Sequence, residues 1–150
     1  MNLRKNVKDK HTAPFIDDFI VPPDCLLEFF PKLIKIVEKY DLLYTIAGHM
    51  GDGNFHIIPL MDLSIPSEKA KLKPCAEEVY DLVLSYKGSI SAEHNDGLIR
   101  GPFLEKMYGK KMFEIFKEVK RIFDPEDIFN PHKKIDASFD YSLSHVRDHF

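Results

Sequence analysis

The segment over residues 43–61 constrains the fold most, because it has the pattern of two strands joined by a short turn. At its centre stands Gly-His-Met-Gly-Asp-Gly-Asn-Phe-His, residues 48–56. Asp52-Gly53 is a favoured pair for a tight hairpin turn with positive φ angles. A turn centred there predicts that His49 lies opposite His56 on one sheet face, with β-carbons about 5 Å apart. Two imidazoles at that separation can hold one cation, and a carboxylate from elsewhere in the chain would complete the ligand set.

The rest of the chain alternates predicted strands and helices around this hairpin. Apolar periodicity, prolines and glycines mark where each element ends. The predicted elements are a strand over 14–22, a helix over 24–40 that Pro31 interrupts, a helix over 67–86, a strand over 89–93 and a helical region over 102–122 interrupted at Gly109. This order predicts an α+β fold, with helices packed on one face of an antiparallel sheet in a ferredoxin-like topology.

Apolar residues at helical spacing predict which helix faces are buried. In the first helix these residues are Leu26, Leu27, Phe30, Leu33, Ile34 and Val37. In the last helical region they are Phe113, Phe116 and Phe123.

Composition and charge exclude several classes of protein. With 150 residues, 44% of them hydrophobic, the chain can build one domain with a substantial core. A net charge of −3 and the lack of a long basic stretch give no reason to expect a nucleic-acid partner. Cys25 and Cys75 have no CxxC spacing, which favours buried free thiols in a reducing compartment. The sequence has no run of about 18 apolar residues, so we expect a soluble cytoplasmic protein without a membrane span.

Three ordered motifs resemble one family. They are Gly48-His49-x-Gly51-Asp52-Gly53-Asn54-x-His56, Glu93-His94-x-Asp96-Gly97, and Phe123-Asp124-Pro125 followed by Asn130-Pro131. The chain resembles the C-terminal domain of FAD-linked oxidases, of the glycolate oxidase and D-lactate dehydrogenase type within the vanillyl-alcohol oxidase superfamily. Many members have glycine where this chain has Asn95 and His132. The resemblance predicts a lead-in over residues 1–13, the family domain over 14–135 and a tail over 136–150.

The resemblance implies a role for five residues. His49, His56 and Glu93 correspond to the ligands of a divalent metal, for which Zn²⁺ is the expected ion because it binds imidazole and carboxylate readily. His94 corresponds to the catalytic base that takes the substrate hydroxyl proton. Asn54 is expected to contact the flavin or to support a ligand. The implied activity is oxidation of a D-2-hydroxy acid, of the D-lactate or glycolate type, by hydride transfer to FAD.

The resemblance also implies a partner. Family enzymes hold FAD mainly in an N-terminal domain with glycine-rich loops, and this sequence has no phosphate-cradling loop of that kind. We therefore expect the chain to be inactive without a flavin-binding domain or subunit, whether it is a fragment, one part of a split enzyme or an excised domain. An apolar face left for such a partner would favour a homo-oligomer in its absence.

Two other functions are compatible with the same residues. The chain could be a truncated, non-catalytic module that binds metal or a protein partner. It could also be a hydrolase in which the same ligand set activates water. Metal binding without turnover when a flavin partner is supplied would favour the non-catalytic module.

Overall fold

A computed structural model describes residues 9–147, which form two compact units. The sheet unit contains residues 9–93 together with residue 147, and the helical unit contains residues 94–146. Residues 1–8 of the predicted lead-in and 148–150 of the predicted tail lie outside the described residues. The predicted division at residues 13 and 135 therefore stays a prediction.

The sheet unit is organised around one central strand. Its strands are β1 (His11–Thr12), β2 (Ile16–Ile20), β3 (Leu43–Ala47) and β4 (Asn54–Met61). β4 pairs antiparallel with β3 along one edge and with β1 and β2 along the other. Its residues alternate in burial, with Phe55 and Ile57 fully covered and His56 and Ile58 partly exposed. This period of two puts the histidine on the opposite face from the core phenylalanine.

Three α-helices complete the described part of the sheet unit, and the single helix predicted over 67–86 is divided into two of them. These helices are α1 (Leu26–Lys39), α2 (Pro66–Lys69) and α3 (Leu72–Ser85). After α3 the chain returns to β2, where Ile20 and Ser89 exchange two backbone hydrogen bonds of 2.9 and 2.8 Å. The returning segment, β2, β4 and β3 therefore lie side by side in that order. The α+β fold with an antiparallel sheet is confirmed, and the strand order is that of the ferredoxin-like topology.

The core of the sheet unit differs in detail from the predicted helix face. Phe29, Leu33 and Val37 repeat every four residues along α1 and are fully buried. Phe29 contacts the stacked pair Phe19 and Phe55, which are register partners in β2 and β4. The prediction that Leu27 belongs to this face is wrong, because Leu27 is 95% exposed. Leu27 precedes Phe29 by two residues, which is about 200° around a helix.

The prolines at the start of α1 explain this shift. Pro23–Cys25 forms a 3₁₀ turn before the α-helix begins, so the predicted helix start at residue 24 lies inside that turn. Pro31 is exposed, and the helix continues through it to Lys39. A new first turn at Pro31, one interpretation of the predicted interruption, does not form, and a kink there stays a prediction.

The helical unit consists of several short helical segments and one long helix. Its α-helices are α4 (Gly97–Arg100), α5 (Leu104–Tyr108), α6 (Lys110–Phe123) and α7 (Phe139–Ser144), with 3₁₀ turns at Gly101–Phe103 and Lys134–Asp136. Gly109 separates α5 from α6 with φ of 78°, so the predicted interruption is confirmed. Phe113 is buried, as predicted, but Phe123 is 80% exposed because it ends α6 at the edge of an open cavity.

No helix within residues 9–147 is long and apolar enough to cross a membrane.

Candidate functional site

The loop between β3 and β4 is longer than the predicted two-residue turn. His56 is the register partner of Ala47, so eight residues, 48–55, lie between this last register pair. Met50–Asp52 forms a 3₁₀ turn, which is closed by the Asp52 N–H donating to the His49 carbonyl at 2.8 Å. The prediction that His49 lies directly opposite His56 is therefore wrong. The two imidazole rings nevertheless face each other edge to face, with centroids 6.4 Å apart.

Glu93 joins the two histidines. Its Oε1 lies 2.8 Å from Nε2 of His56, and its Oε2 lies 3.6 Å from Nε2 of His49. The three residues that the family resemblance implied as ligands are thus brought together, with one carboxylate between two imidazoles. His49 and Glu93 are largely exposed, whereas the His56 side chain is only 13% exposed.

Asp17 holds the other side of the His56 ring. Its Oδ1 lies 3.0 Å from Nδ1 of His56, and its side chain is as buried as that of the histidine. His56 is therefore contacted by a carboxylate at each ring nitrogen. Asp17 belongs to a segment, Asp17-Asp18-x-x-Val21-Pro22, that also fits the family pattern, but no role was predicted for it. An aspartate inside the apolar run Phe-Ile-Asp-Asp-Phe-Ile-Val is itself a signal, since a buried carboxylate requires a partner.

Asp18 supports the main chain of Glu93. Asp18 is fully buried and has φ of 62°, at a shift in the pairing register between Ile16 and Phe19. Its carboxylate accepts the N–H of Ala92 at 3.0 Å and the N–H of Glu93 at 3.0 and 3.1 Å. Its carbonyl also accepts the Ala92 N–H at 3.0 Å. The position of the Glu93 side chain is thus set from inside β2.

The side chain of Asn54 forms hydrogen bonds within the sheet unit. Its residue is 4% exposed, and its amide nitrogen donates to Asp18 Oδ1 at 3.4 Å and to the Phe19 carbonyl at 3.3 Å. Its amide oxygen accepts the His49 N–H at 3.4 Å. These contacts favour a supporting role for Asn54 beneath the loop between β3 and β4, called here the histidine loop. Its contact with the flavin stays a prediction.

The geometry of the cluster fits a divalent cation only in part, because the group of ligand atoms that lie within 4.8 Å of one another includes His56 and Glu93 but not His49. Metal–ligand bonds of about 2.0–2.2 Å and tetrahedral angles place ligand atoms about 3.3–3.6 Å apart. The His49–Glu93 separation of 3.6 Å lies at the end of this range, and the His56–Glu93 separation of 2.8 Å needs to open slightly. Asp18 also has an oxygen within 4.8 Å of the ligand atoms of His56 and Glu93. Because both Asp18 oxygens already accept hydrogen bonds, we assign it to support rather than to the ligand set.

His94, the predicted base, begins the helical unit and is exposed. It lines a cavity of about 860 Å³ within that unit. Asn95, Asp96 and Lys134 line the same cavity as His94, and its apolar wall comes mainly from α6 and the segment after it. Lys134 donates to Asn95 at 2.7 Å and to Asp96 at 2.8 Å, which fixes the polar residues beside His94.

The two departures from the family pattern share a backbone conformation. Asn95 has φ of 67° and His132 has φ of 61°, so both adopt the left-handed region in which glycine is unstrained. Asparagine and histidine are enriched there relative to other residues with side chains. The local backbone therefore explains why glycine suits these positions in other members, and why these substitutes are tolerated.

The fold and the cluster define a small α+β domain that presents a His, His, Glu set on the sheet face opposite α1. The chain belongs to the family described as FAD linked oxidases, C-terminal domain, whose model matches residues 1–134.

Similar proteins carry the names of hydroxy-acid flavoenzymes. The chain is 29% identical to the D-2-hydroxyglutarate dehydrogenase of Escherichia coli (strain K12) over 120 residues, which are 80% of this chain and 12% of that protein. It is 30% identical to the glycolate oxidase subunit GlcD of Bacillus subtilis (strain 168) over 118 residues, covering 79% of this chain and 25% of that protein. It is 32% identical to the mitochondrial D-lactate dehydrogenase (cytochrome) of Arabidopsis thaliana over 120 residues, 80% of this chain and 21% of that protein. The chain spans a quarter or less of the length of these relatives.

Proposed function

We propose that this chain is the substrate- and metal-binding half of a flavin-dependent oxidoreductase that oxidises a D-2-hydroxy acid. The observation that carries the proposal is the Glu93 carboxylate between the imidazoles of His49 and His56. Family membership implies FAD, and the names of the relatives point to D-lactate, glycolate or D-2-hydroxyglutarate as the substrate class.

His49, His56 and Glu93 would hold a divalent cation, with Zn²⁺ as the expected ion. When bound, the cation supplies positive charge that favours the deprotonated form of the substrate hydroxyl. FAD, when bound, supplies the acceptor for the hydride that leaves the α-carbon. The two nitrogen ligands differ in exposure, since His49 is mostly in solvent and His56 is mostly covered. We infer that His56 and Glu93 form the fixed side of the site and that His49 closes it.

His94 would accept the hydroxyl proton on an imidazole nitrogen. An imidazole is suited to this step because its ordinary pKa of about 6.5 lies near physiological pH. Within the helical unit, Val119, Phe123 and Phe129 give the cavity beside His94 an apolar wall. Such a wall excludes water from a bound substrate and strengthens the charge interactions around it.

The complete reaction requires a flavin-binding domain or subunit, whether it belongs to the same polypeptide or to a partner. The cytoplasmic location and a homo-oligomeric state remain predictions from the sequence.

Metal analysis tests the ligand set. Protein purified without chelator should contain about one divalent ion per chain by elemental analysis, and His49→Ala, His56→Ala and Glu93→Gln should each lose most of it. His132→Ala is the matched control, because His132 lies in the helical unit and outside the cluster. Wild-type protein that neither retains nor rebinds Zn²⁺, Mn²⁺ or Co²⁺ would refute the ligand assignment.

A turnover assay tests the role of His94. With a flavin-binding polypeptide supplied, we expect reduction of an artificial electron acceptor with one of the three hydroxy acids. His94→Gln should lower kcat about 10²–10⁴-fold, the usual contribution of a general base, while the metal content stays unchanged. Metal binding without turnover on any of these substrates would instead favour the non-catalytic metal-binding module.

A further inference from the structure

Two consecutive aspartates in β2 contact two different residues of the candidate metal site. The Asp17 side chain contacts the His56 ring, and the Asp18 side chain contacts the main chain of Glu93. Consecutive side chains in a regular strand point to opposite faces. The left-handed φ of Asp18 and the register shift beside it break this alternation, so that both carboxylates serve the same site.

The contact with Asp17 determines which His56 nitrogen can bind a cation. Nδ1 lies 3.0 Å from Asp17, and Nε2 lies 2.8 Å from Glu93. A metal-binding imidazole binds through one nitrogen and donates its remaining proton from the other, often to a carboxylate. If Nε2 of His56 binds a cation beside Glu93, the remaining proton lies on Nδ1, where Asp17 can accept it.

The contacts with Asp18 determine where Glu93 stands. The fully buried Asp18 carboxylate accepts two successive backbone N–H groups, those of Ala92 and Glu93. Hydrogen bonds from amides to a carboxylate are stronger than those between neutral groups. These bonds fix the backbone just before the Glu93 side chain leaves it.

We propose that Asp17 and Asp18 are positioning residues of the site: Asp17 sets the tautomer and orientation of His56, and Asp18 fixes the backbone of Glu93. The inference rests on the proposed function for the identity of the bound ion. The orientation of the imidazole and of the backbone can be measured without an ion, so the two ideas can fail separately.

The first experiment compares Zn²⁺ affinity by competition with a chromophoric chelator. Asp17→Asn should weaken binding about 10–100-fold, the usual effect of losing a partner of a metal-binding histidine. An asparagine can donate its amide to Nδ1 and so favour the wrong tautomer, as the same change does in the serine-protease triad. Asp52→Asn is the matched control, because it removes one exposed carboxylate from the histidine loop. Its affinity should equal that of wild type.

The second experiment reads the apo protein by NMR. Glu93→Ala removes the carboxylate at Nε2, so in this background long-range ¹H–¹⁵N spectra, at a pH high enough for the ring to be neutral, should place the His56 proton on Nδ1, and on Nε2 when Asp17→Asn is added. Asp18→Asn should speed hydrogen exchange of the Ala92 and Glu93 amides. If Asp18→Asn does not fold, the Asp17 comparison still decides.

The outcomes separate the two ideas. Equal Zn²⁺ affinity and an unchanged tautomer in Asp17→Asn would overturn the positioning proposal. A wild-type chain that never binds a cation, together with an Nδ1 proton in the Glu93→Ala background, would support the positioning contacts and overturn the metal site.

Discussion

Replacing Gly53 with alanine should destabilise the sheet unit strongly, because this glycine has two constraints at once. Its φ is 80°, and a β-carbon built on it would overlap the backbone carbonyl oxygen of Val21. A left-handed conformation costs an L-residue about 1–2 kcal/mol. Relief of the overlap must move β2, which costs about 1–3 kcal/mol for an overpacked position. It also strains the 3.0 Å bond from the Val21 N–H to the Gly53 carbonyl, worth about 1 kcal/mol.

The sum is a loss of at least about 3 kcal/mol, a large part of the 5–15 kcal/mol that stabilises a typical domain. Urea unfolding followed by circular dichroism measures this difference. Gly51→Ala is the control from the same motif, since Gly51 lacks a left-handed φ and a β-carbon there meets nothing within 4 Å. Its free energy of unfolding should stay within about 0.5 kcal/mol of wild type. Equal losses in the two variants would refute the reasoning from local geometry.

Two further predictions concern titratable groups. Burial raises the pKa of the Cys75 thiol to about 12, so the stabilising contribution of this thiol is complete below the unfolded pKa near 8.5 and declines as pH rises towards 12. Ellman's reagent at pH 8 should therefore modify Cys25 but not Cys75 until the protein is denatured. Rapid reaction of the native Cys25→Ser variant would contradict this. Burial acts to raise the pKa of Asp124, but the Lys120 ammonium and the N–H groups of Phe129 and Ile128 outweigh it and lower the pKa. Its contribution is therefore present above about pH 3.9 and is lost as pH falls through the folded pKa; acid titration of stability should be shallower in Asp124→Asn, and an unchanged curve would contradict the assignment.

Local patterns predicted the elements of the fold better than their register. The hairpin pattern around Asp52-Gly53 identified β4, and Gly109 marked the break between α5 and α6. The Asp52-Gly53 pair suggested a two-residue turn, whereas a 3₁₀ turn over Met50–Asp52 forms instead. Asp-Gly is compatible with both turns. A two-residue hairpin turn needs a positive φ at both residues, whereas a 3₁₀ turn followed by glycine needs a positive φ only at the glycine.

The candidate site was also predicted only in part. The motifs singled out His49, His56 and Glu93, since ligand residue types stand out in a sequence. Asp17 and Asp18 fitted the family pattern, but their roles were not predicted, because these depend on a strand irregularity and on partners far along the chain. The exposure of Phe123 could not be predicted for a related reason: helical spacing shows which residues share a face, but not whether that face is covered.

Because β4 lies at the centre of the sheet, we expect the residues of the site to come together at different stages of folding. His49 and His56 both belong to one hairpin, and hairpins form in about 1–10 μs. The carboxylates arrive from 39 residues before His56 and 37 residues after it, and pairings over such separations form more slowly. During refolding we therefore expect the two imidazoles to come together before either acid reaches them. Zn²⁺ present from the start meets a half-built site, so the rate of recovery should depend on whether the ion is added before or after the chain folds.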